Sequence, residues 1–132
     1  MKLSELIRRK EELLRRLLPV SVQQLKIVRQ DNLTVLLQHL AVKQRLMNEF
    51  EAIEEQLRPF QAIPPEERRW ENEAERLETE RAMERCAGIL EEIIRNDSTG
   101  MEELRVRRTE VEDQLRRVRQ GSRVSVSYEK FR

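Results

Sequence analysis

The sequence predicts an all-α fold in which an antiparallel helical hairpin packs on a long third helix. More than half of the 132 residues are Ala, Glu, Lys, Leu or Arg, which is the residue usage of long helices and coiled coils. Apolar residues recur at steps of three and four through three long segments, as on one face of a helix. Only three Gly and four Pro interrupt the chain, and aromatic residues make up 4% of it, which disfavours a sheet core.

The first predicted helix covers residues 3–29. Its apolar face follows a three-four spacing through Leu3, Leu6, Leu13, Leu17, Val20 and Ile27. Pro19 interrupts this face, and proline inside a helix removes one backbone hydrogen bond and crowds the preceding turn. Because the spacing resumes in phase beyond Pro19, we expect one helix with a kink rather than two helices.

The second predicted helix, at residues 33–58, has the clearest amphipathic pattern in the chain. Its apolar stripe is formed by Leu33, Leu36, Leu37, Leu40, Met47, Phe50, Ile53 and Leu57. Asp31 or Asn32 is placed to cap the first turn, and Pro59 is placed to end the helix. The short link at residues 30–32 forces this helix back antiparallel to the first. We expect the rest of the chain to pack around this stripe.

The third predicted helix covers residues 66–120 and begins after Pro64-Pro65. The run Asn96-Asp97-Ser98-Thr99-Gly100 resembles a helix stop by propensity alone. A four-three alternation nevertheless continues across it, through Met83, Ala87, Leu90, Ile94, Asp97, Met101, Leu104, Arg108, Val111, Leu115 and Val118. We therefore predict one continuous helix, and a four-helix bundle is the alternative if the helix breaks near Asp97–Gly100. Gly121 is the predicted helix stop, so residues 1–120 form one helical domain and residues 121–132 a C-terminal tail.

The third helix would be about 80 Å long, roughly twice the length of either helix of the hairpin. The hairpin can therefore cover only about half of it, and the remaining apolar residues need another partner. The predicted partner-binding residues are Met101, Leu104, Arg108, Val111, Leu115 and Val118 on the helix, with Val124, Val126 and Tyr128 in the tail. A second copy of the chain or a foreign helix could occupy this surface.

The distribution of charge also favours helices that fold back on one another. Residues 1–48 carry ten Lys or Arg against four acids, residues 49–92 carry six against fourteen, and residues 104–132 carry nine against four. Acids lie among or just before the arginines between residues 105 and 119, and such a neutralised face tracks phosphate poorly. These acids are Glu102, Glu103, Glu110, Glu112 and Asp113. The charge pattern therefore predicts a charged flank of a helix interface rather than a nucleic-acid site.

No constellation of residues points to an enzyme, a metal site or a cofactor. His39 is the only histidine and Cys86 the only cysteine, so neither a paired metal ligand nor an internal disulfide is available to them. The many glutamates are interleaved with arginine at helical spacing, as on solvated helix faces. No apolar run approaches the roughly 20 residues that cross a bilayer, and the N-terminus lacks the uncharged core of a signal peptide. We expect a cytoplasmic protein with no membrane insertion.

The order of these segments is similar to that of a known family. A first helix, a short link with Asp31, the stretch LTVLLQHLAVKQRLMNEFEAIEEQL with Lys43 between two leucine-rich turns, and a long third helix with a glycine-bearing tail together resemble the FlgN-like flagellar export chaperones. The segment PFQAIPPEERRW and the sparsely apolar start of the third helix depart from the family's pattern.

The resemblance implies a cytoplasmic type III export chaperone. Such a protein binds apolar terminal helices of hook–filament junction proteins, the hook-associated proteins, and delivers them to the export gate. It also implies that a tyrosine near the C-terminus contacts the gate, and Tyr128 is the one tyrosine here. The alternative is a homodimeric coiled-coil scaffold or adaptor that zips through the long helix and binds no client.

Overall fold

The computed structural model describes the backbone of residues 1–130 and the side chains of residues 1–120. It contains three α-helices, which are α1 (Leu3–Arg29), α2 (Leu33–Gln61) and α3 (Glu73–Lys130). No strand occurs among the described residues, so the predicted all-α, three-helix fold is confirmed. Within residues 1–130, no helix combines the length and the apolar character needed to cross a membrane.

A tight turn at residues 30–32 reverses the chain between α1 and α2. The Gln30 N–H donates to Ile27 O at 3.1 Å, and Asp31 adopts a left-handed φ of 55°, a conformation that Asp tolerates better than most residues. The Asn32 side chain then accepts a hydrogen bond from the Val35 N–H at 3.1 Å. Of the two predicted caps, Asn32 is therefore the helix cap and Asp31 makes the turn.

The two predicted helix ends next to prolines were wrong. Helix α2 passes Pro59 and ends at Gln61, because a proline removes one hydrogen bond while the next turn still forms, with the Ala62 N–H donating to Arg58 O at 3.3 Å. The helix after Pro64-Pro65 is only a 3-10 turn at Pro65–Glu67. Helix α3 begins at Glu73, where the Asn72 side chain accepts from the Glu75 N–H at 2.8 Å.

Helix α3 is continuous through residues 96–100, as predicted, and so the four-helix alternative is wrong. It also continues through Gly121 to Lys130, so the predicted stop at Gly121 was wrong. A glycine permits a helix to end but does not force it to do so. At 58 residues, α3 is about 87 Å long.

Helix α1, rather than α2, lies at the centre of the bundle. Ten residues of α1 are buried, whereas Leu57 is the one buried residue of α2. Helix α1 packs on both other helices, and no Cα atoms of α2 and α3 approach within 8 Å of each other among the described residues. The expectation that the chain packs around the α2 stripe was therefore wrong, because the first leucines of the stripe, Leu33, Leu37 and Leu40, are exposed.

The apolar core is concentrated in the half of the bundle that contains the N-terminus of α1. One buried cluster contains Leu3, Leu6, Ile7, Leu57 and Ala82, with Trp70 packed against it. The next contains Leu13, Leu14, Leu17, Cys86 and Ile93. Both clusters use residues 3–17 of α1, so this half supplies most of the hydrophobic stabilisation.

Ion pairs join the oppositely charged segments of the chain across the helix interfaces. Arg85 Nε lies 2.6 Å from a Glu11 carboxylate oxygen, and Arg29 Nη2 lies 2.8 Å from one of Glu103. The hydrogen bond from Arg85 lowers the pKa of the Glu11 carboxyl below its ordinary value. Glu11 precedes Arg29 on α1, and its partner Arg85 likewise precedes Glu103 on α3. Helices α1 and α3 therefore run parallel.

Gly100 offers a test of the α1–α3 packing. It is buried inside α3, and a Cβ added there would meet Leu25 Cδ2 at 3.5 Å and Gln24 Nε2 at 3.9 Å, which are ordinary van der Waals contacts. We expect Gly100→Ala to raise the free energy of unfolding by about 1 kcal/mol, the helix-propensity difference. Urea denaturation followed by circular dichroism measures it.

Gly88→Ala is the matched control, since a Cβ at this exposed position meets nothing within 4 Å. It should give the same gain from propensity alone. A loss of stability in Gly100→Ala, with a gain in Gly88→Ala, would show that α1 and α3 approach too closely for a methyl group.

Candidate protein-binding surface

One face of α3 packs on α1 as far as Arg107. The contacts along it are Asn96 with Ser21, Gly100 with Leu25, Glu103 with Arg29, and Arg107 with the Val28 carbonyl and Asp31. The predicted stripe is formed by the residues that directly follow these contact residues, namely Asp97, Met101, Leu104 and Arg108. It is therefore rotated by about 100° around the helix axis from the face that packs on α1. The stripe therefore points to the side of α1 on which α2 lies rather than at α1 itself.

A polar layer fixes this rotation. Lys43 Nζ on α2 donates to Gln24 Oε1 on α1 at 3.0 Å and to Asp97 Oδ1 on α3 at 2.8 Å. The Asn96 side chain donates to Ser21 Oγ on α1 at 3.0 Å. Asn and Asp disfavour helices when their side chains bond to the nearby backbone. Here both side chains bond to other helices, which is why α3 continues through this run.

The predicted partner-binding residues of α3 form one exposed strip. We call Met101, Leu104, Arg108, Val111, Leu115 and Val118 the seam. The exposed fraction of its apolar side chains runs from 37% at Leu104 to 70% at Met101. Large apolar side chains aligned on one face of a helix mark an interaction surface rather than scattered surface residues.

Beyond Arg107, α3 leaves the bundle. Every side chain from 108 to 120 is exposed, and the helix continues to Lys130. We call residues 108–130 the arm, which is about 34 Å long. Isolated helices are marginal in water and gain most of their stability from packing an apolar face. The arm is therefore a helix whose own chain supplies no packing partner for residues 108–120.

The N-terminal half of α2 adds exposed apolar residues beside the start of the seam. Leu36 and Leu40 lie on the same face of α2 as Lys43, which contacts Asp97 on the seam side of α3. Since α2 and α3 run antiparallel, Leu40 and Leu36 are level with Met101 and Leu104. These leucines thus border the first two residues of the seam.

The leucines at the start of α2 are further candidate site residues, which the sequence interpretation expected to be packed. Leu33 is 67% exposed and Leu37 57% exposed. Lys43 was the signal in the sequence that these leucines are exposed. A lysine within an apolar stripe predicts a polar layer, and the apolar core is interrupted at that layer. Its partner Asp97 interrupts the stripe of α3 in the same way.

Charged pairs lie within and beside the seam. Arg108 Nε lies 3.1 Å from a Glu112 carboxylate oxygen, and Arg105 Nη2 lies 2.6 Å from one of Glu102. The hydrogen bond from Arg105 lowers the pKa of the Glu102 carboxyl. All four side chains are exposed, so each pair stabilises the helix only slightly and is free to exchange partners.

The lone histidine and the lone cysteine have structural roles in the bundle. His39 Nε2 lies 2.8 Å from Val20 O, which ties α2 to α1. Cys86 is 3% exposed between α1 and α3, and this burial raises the pKa of its thiol. A buried neutral thiol is a small apolar side chain rather than a nucleophile.

The three predicted site residues nearest the C-terminus are Val124, Val126 and Tyr128. Their backbone belongs to α3, so these residues do not form a tail separate from the helix, as was predicted for residues 121–132. Their side chains lie outside the described residues. The described part of the binding surface is therefore the seam with its α2 border.

Comparison with protein-family models, with curated proteins and with solved structures gave no match for this chain.

Proposed function

We propose that this protein is a cytoplasmic export chaperone of the type III, flagellar kind, which holds an apolar helix of a client along the seam. The clients would be hook-associated proteins, which the chaperone presents to the export gate. The observation that supports this proposal is the exposed seam on a helix that extends beyond its own bundle. Laying an amphipathic helix into such a strip is a common mode of protein recognition.

The energetics of the arm favour a carrier. A client helix that covers Leu104, Val111 and Leu115 would remove these side chains from water at about 25 cal/mol per Å² of apolar area. The same contact would stabilise the arm, whose isolated helix is marginal. Client and arm would therefore stabilise each other, which suits a protein that holds a segment before it is released.

The charge of the arm restricts the kind of client. Residues 104–120 carry six arginines against three acids. Arg108 lies within the seam itself beside Glu112, 3.1 Å away, and covering it would partly desolvate its charge, which a second acid from the client would offset. The preferred client is thus an amphipathic helix with acids along its flanks and one acid that reaches Arg108.

The role of Tyr128 at the export gate is the part of the proposal that rests on the family resemblance. The arm would carry this residue at the far end of α3, about 15 Å or more of helix beyond Val118. A client on the seam and a gate contact near Tyr128 could then be engaged together.

The direct test is a titration of the full chain with a synthetic peptide that copies the C-terminal helix of a hook-associated protein. We expect saturable binding with one peptide per chain, and an increase in helical circular dichroism as the peptide and the arm order each other. Fluorescence anisotropy of a labelled peptide measures the affinity.

The control peptide has the same composition in a scrambled order, so that it keeps its charge but loses the apolar stripe. Equal binding of both peptides would show that charge alone attracts them. Absence of binding by either peptide would contradict the chaperone proposal and leave the scaffold alternative.

A further inference from the structure

We infer that, when no client is bound, a second copy of this chain covers the seam, with the two arms antiparallel about a two-fold axis near residues 109–110. The pairing itself rests on the geometry and charge of the arm. The further step, that a client must displace the second copy, rests on the proposed function. The seam would then be protected from water between rounds of client binding.

The spacing of the seam is that of a two-stranded coiled coil. Met101, Arg108 and Leu115 occupy one core position of a seven-residue repeat, and Leu104, Val111 and Val118 occupy the other. A strict seven-residue repeat keeps one strip of a helix facing one partner helix. A second copy of the arm has this seven-residue repeat by definition, so it is a partner whose apolar residues have the required spacing.

Arg108 decides the relative direction of the two arms. A parallel pair would place it opposite Arg108 of the second copy, with two like charges facing each other in the core. An antiparallel pair places Arg108 opposite Val111, while Leu104 meets Leu115 and Met101 meets Val118. This arrangement pairs four of the five apolar seam residues with one another, sets Val111 against the aliphatic stem of Arg108, and lets Arg108 keep Glu112, 3.1 Å away, beside it.

The charges that flank the seam are complementary in the same arrangement. Arg105 directly follows Leu104, and Glu112 directly follows Val111. When two such helices pair antiparallel, residues at this position of the repeat face each other, so Arg105 lies beside Glu112 of the second copy. The two-fold axis creates this pair twice, and Arg107 lies beside the uncharged Gln114. The exposed pair of Arg105 with Glu102 costs little to exchange.

The second arm also reaches the border of the bundle. With Val118 of the second copy level with Met101, the part of its arm around Val118 lies beside Leu40 of α2, which is 38% exposed. The pairing therefore covers apolar surface that a contact between two isolated arms would leave in water. A seam of about two and a half repeats with an arginine in its core makes a weak pair, which a client helix can displace.

A charge exchange at residues 105 and 112 tests the inference. The molar mass of the full chain is followed by analytical ultracentrifugation over a range of concentrations. We expect the natural sequence to dimerise with concentration, and Glu112→Arg to raise the dimer dissociation constant about tenfold, because two attractive pairs become repulsive. Adding Arg105→Glu should lower the dissociation constant again by at least about threefold, and the recovery is partial because the pair of Arg108 with Glu112 stays lost.

Asp113→Arg is the matched control, since it makes the same change of charge on the side of the helix that faces away from the seam. It should leave the dissociation constant within about threefold. In a second measurement, chains with Leu104→Cys and differently tagged chains with Leu115→Cys are mixed and oxidised. Antiparallel arms predict disulfides mainly between unlike chains, because buried Cys86 does not compete.

A natural chain that stays monomeric at all concentrations would overturn the inference, and peptide binding by that monomer would still support the proposed function. Disulfides mainly between like chains, or a failure of Arg105→Glu to rescue Glu112→Arg, would overturn the antiparallel arrangement. A dimer with the expected charge dependence that binds no client peptide would support the inference and contradict the chaperone.

Discussion

Replacing Leu104 and Leu115 together with Asp is expected to abolish binding to a client helix and to a second copy, with a loss of affinity of at least about a hundredfold. Each leucine loses about 1.5–3 kcal/mol of burial when an interface can no longer cover it, and about 2.7 kcal/mol corresponds to a hundredfold change. The introduced carboxylates would also need to be desolvated in the contact. The measurements are peptide anisotropy and sedimentation of the full chain.

The matched control is Val106→Asp with Gln120→Asp. It adds the same two negative charges to α3, but both positions lie on the opposite side of the helix from Leu104 and Leu115. Helical circular dichroism should be nearly unchanged in both double variants, since neither touches the clusters around Leu6 and Leu14.

Leu115→Asp alone separates binding from folding. Leu104 is partly packed at 37% exposed, whereas Leu115 is 50% exposed and lies on the arm, away from the bundle. The single variant should therefore weaken binding without affecting the unfolding of the bundle. Unchanged association in the double variant would show that the binding surface lies elsewhere, with the exposed α2 leucines as the next place to look.

Replacing Leu14 with Ala is expected to lower the free energy of unfolding by about 3 kcal/mol. Its side chain is fully buried between α1 and α3, beside Cys86 and Ile93. Truncating such a leucine loses its transfer free energy and leaves a cavity, which together cost about 2–5 kcal/mol. Urea denaturation followed by circular dichroism measures the change.

The control is Leu37→Ala on α2, the same truncation at a side chain that is 57% exposed. It should change the free energy of unfolding by less than about 0.5 kcal/mol. If both variants destabilise the bundle equally, then the N-terminal half of α2 is packed in solution and its leucines are not available beside the seam.

Periodicity located the three helices and the strip that lacks a partner, but it placed the core on the wrong helix. The stripe of α2 is the most regular in the sequence, yet Leu33 and Leu37 are exposed while Leu14 of α1 is buried. A periodic apolar face shows that a helix has a partner side; it does not show how far along the helix the partner extends. Helix α1 holds the core because α2 packs on one side of it and α3 on another. This arrangement could be recognised only from the assembled bundle.

Helix ends were predicted less well than helices, for a local reason. Asn72, rather than Pro65, begins α3, because a single side-chain cap outweighs the favourable position of a proline. Propensity alone would also have ended α3 at Asn96 and Asp97. Their contacts with Ser21 and Lys43 join residues more than fifty positions apart in the sequence, so no local rule could predict them. The unbroken apolar register nevertheless predicted that the helix continues.

By itself, the sequence determined the all-α class, the continuity of α3 and the apolar seam, because these follow from residue spacing along a single helix. Only the tertiary structure decided which face of α3 meets α1, where the bundle ends at Arg107, and that Leu36 and Leu40 border the seam. These features depend on the rotation of one helix against another. That rotation is fixed by a few contacts, such as that between Lys43 and Asp97, whose partners the pattern of one helix cannot specify.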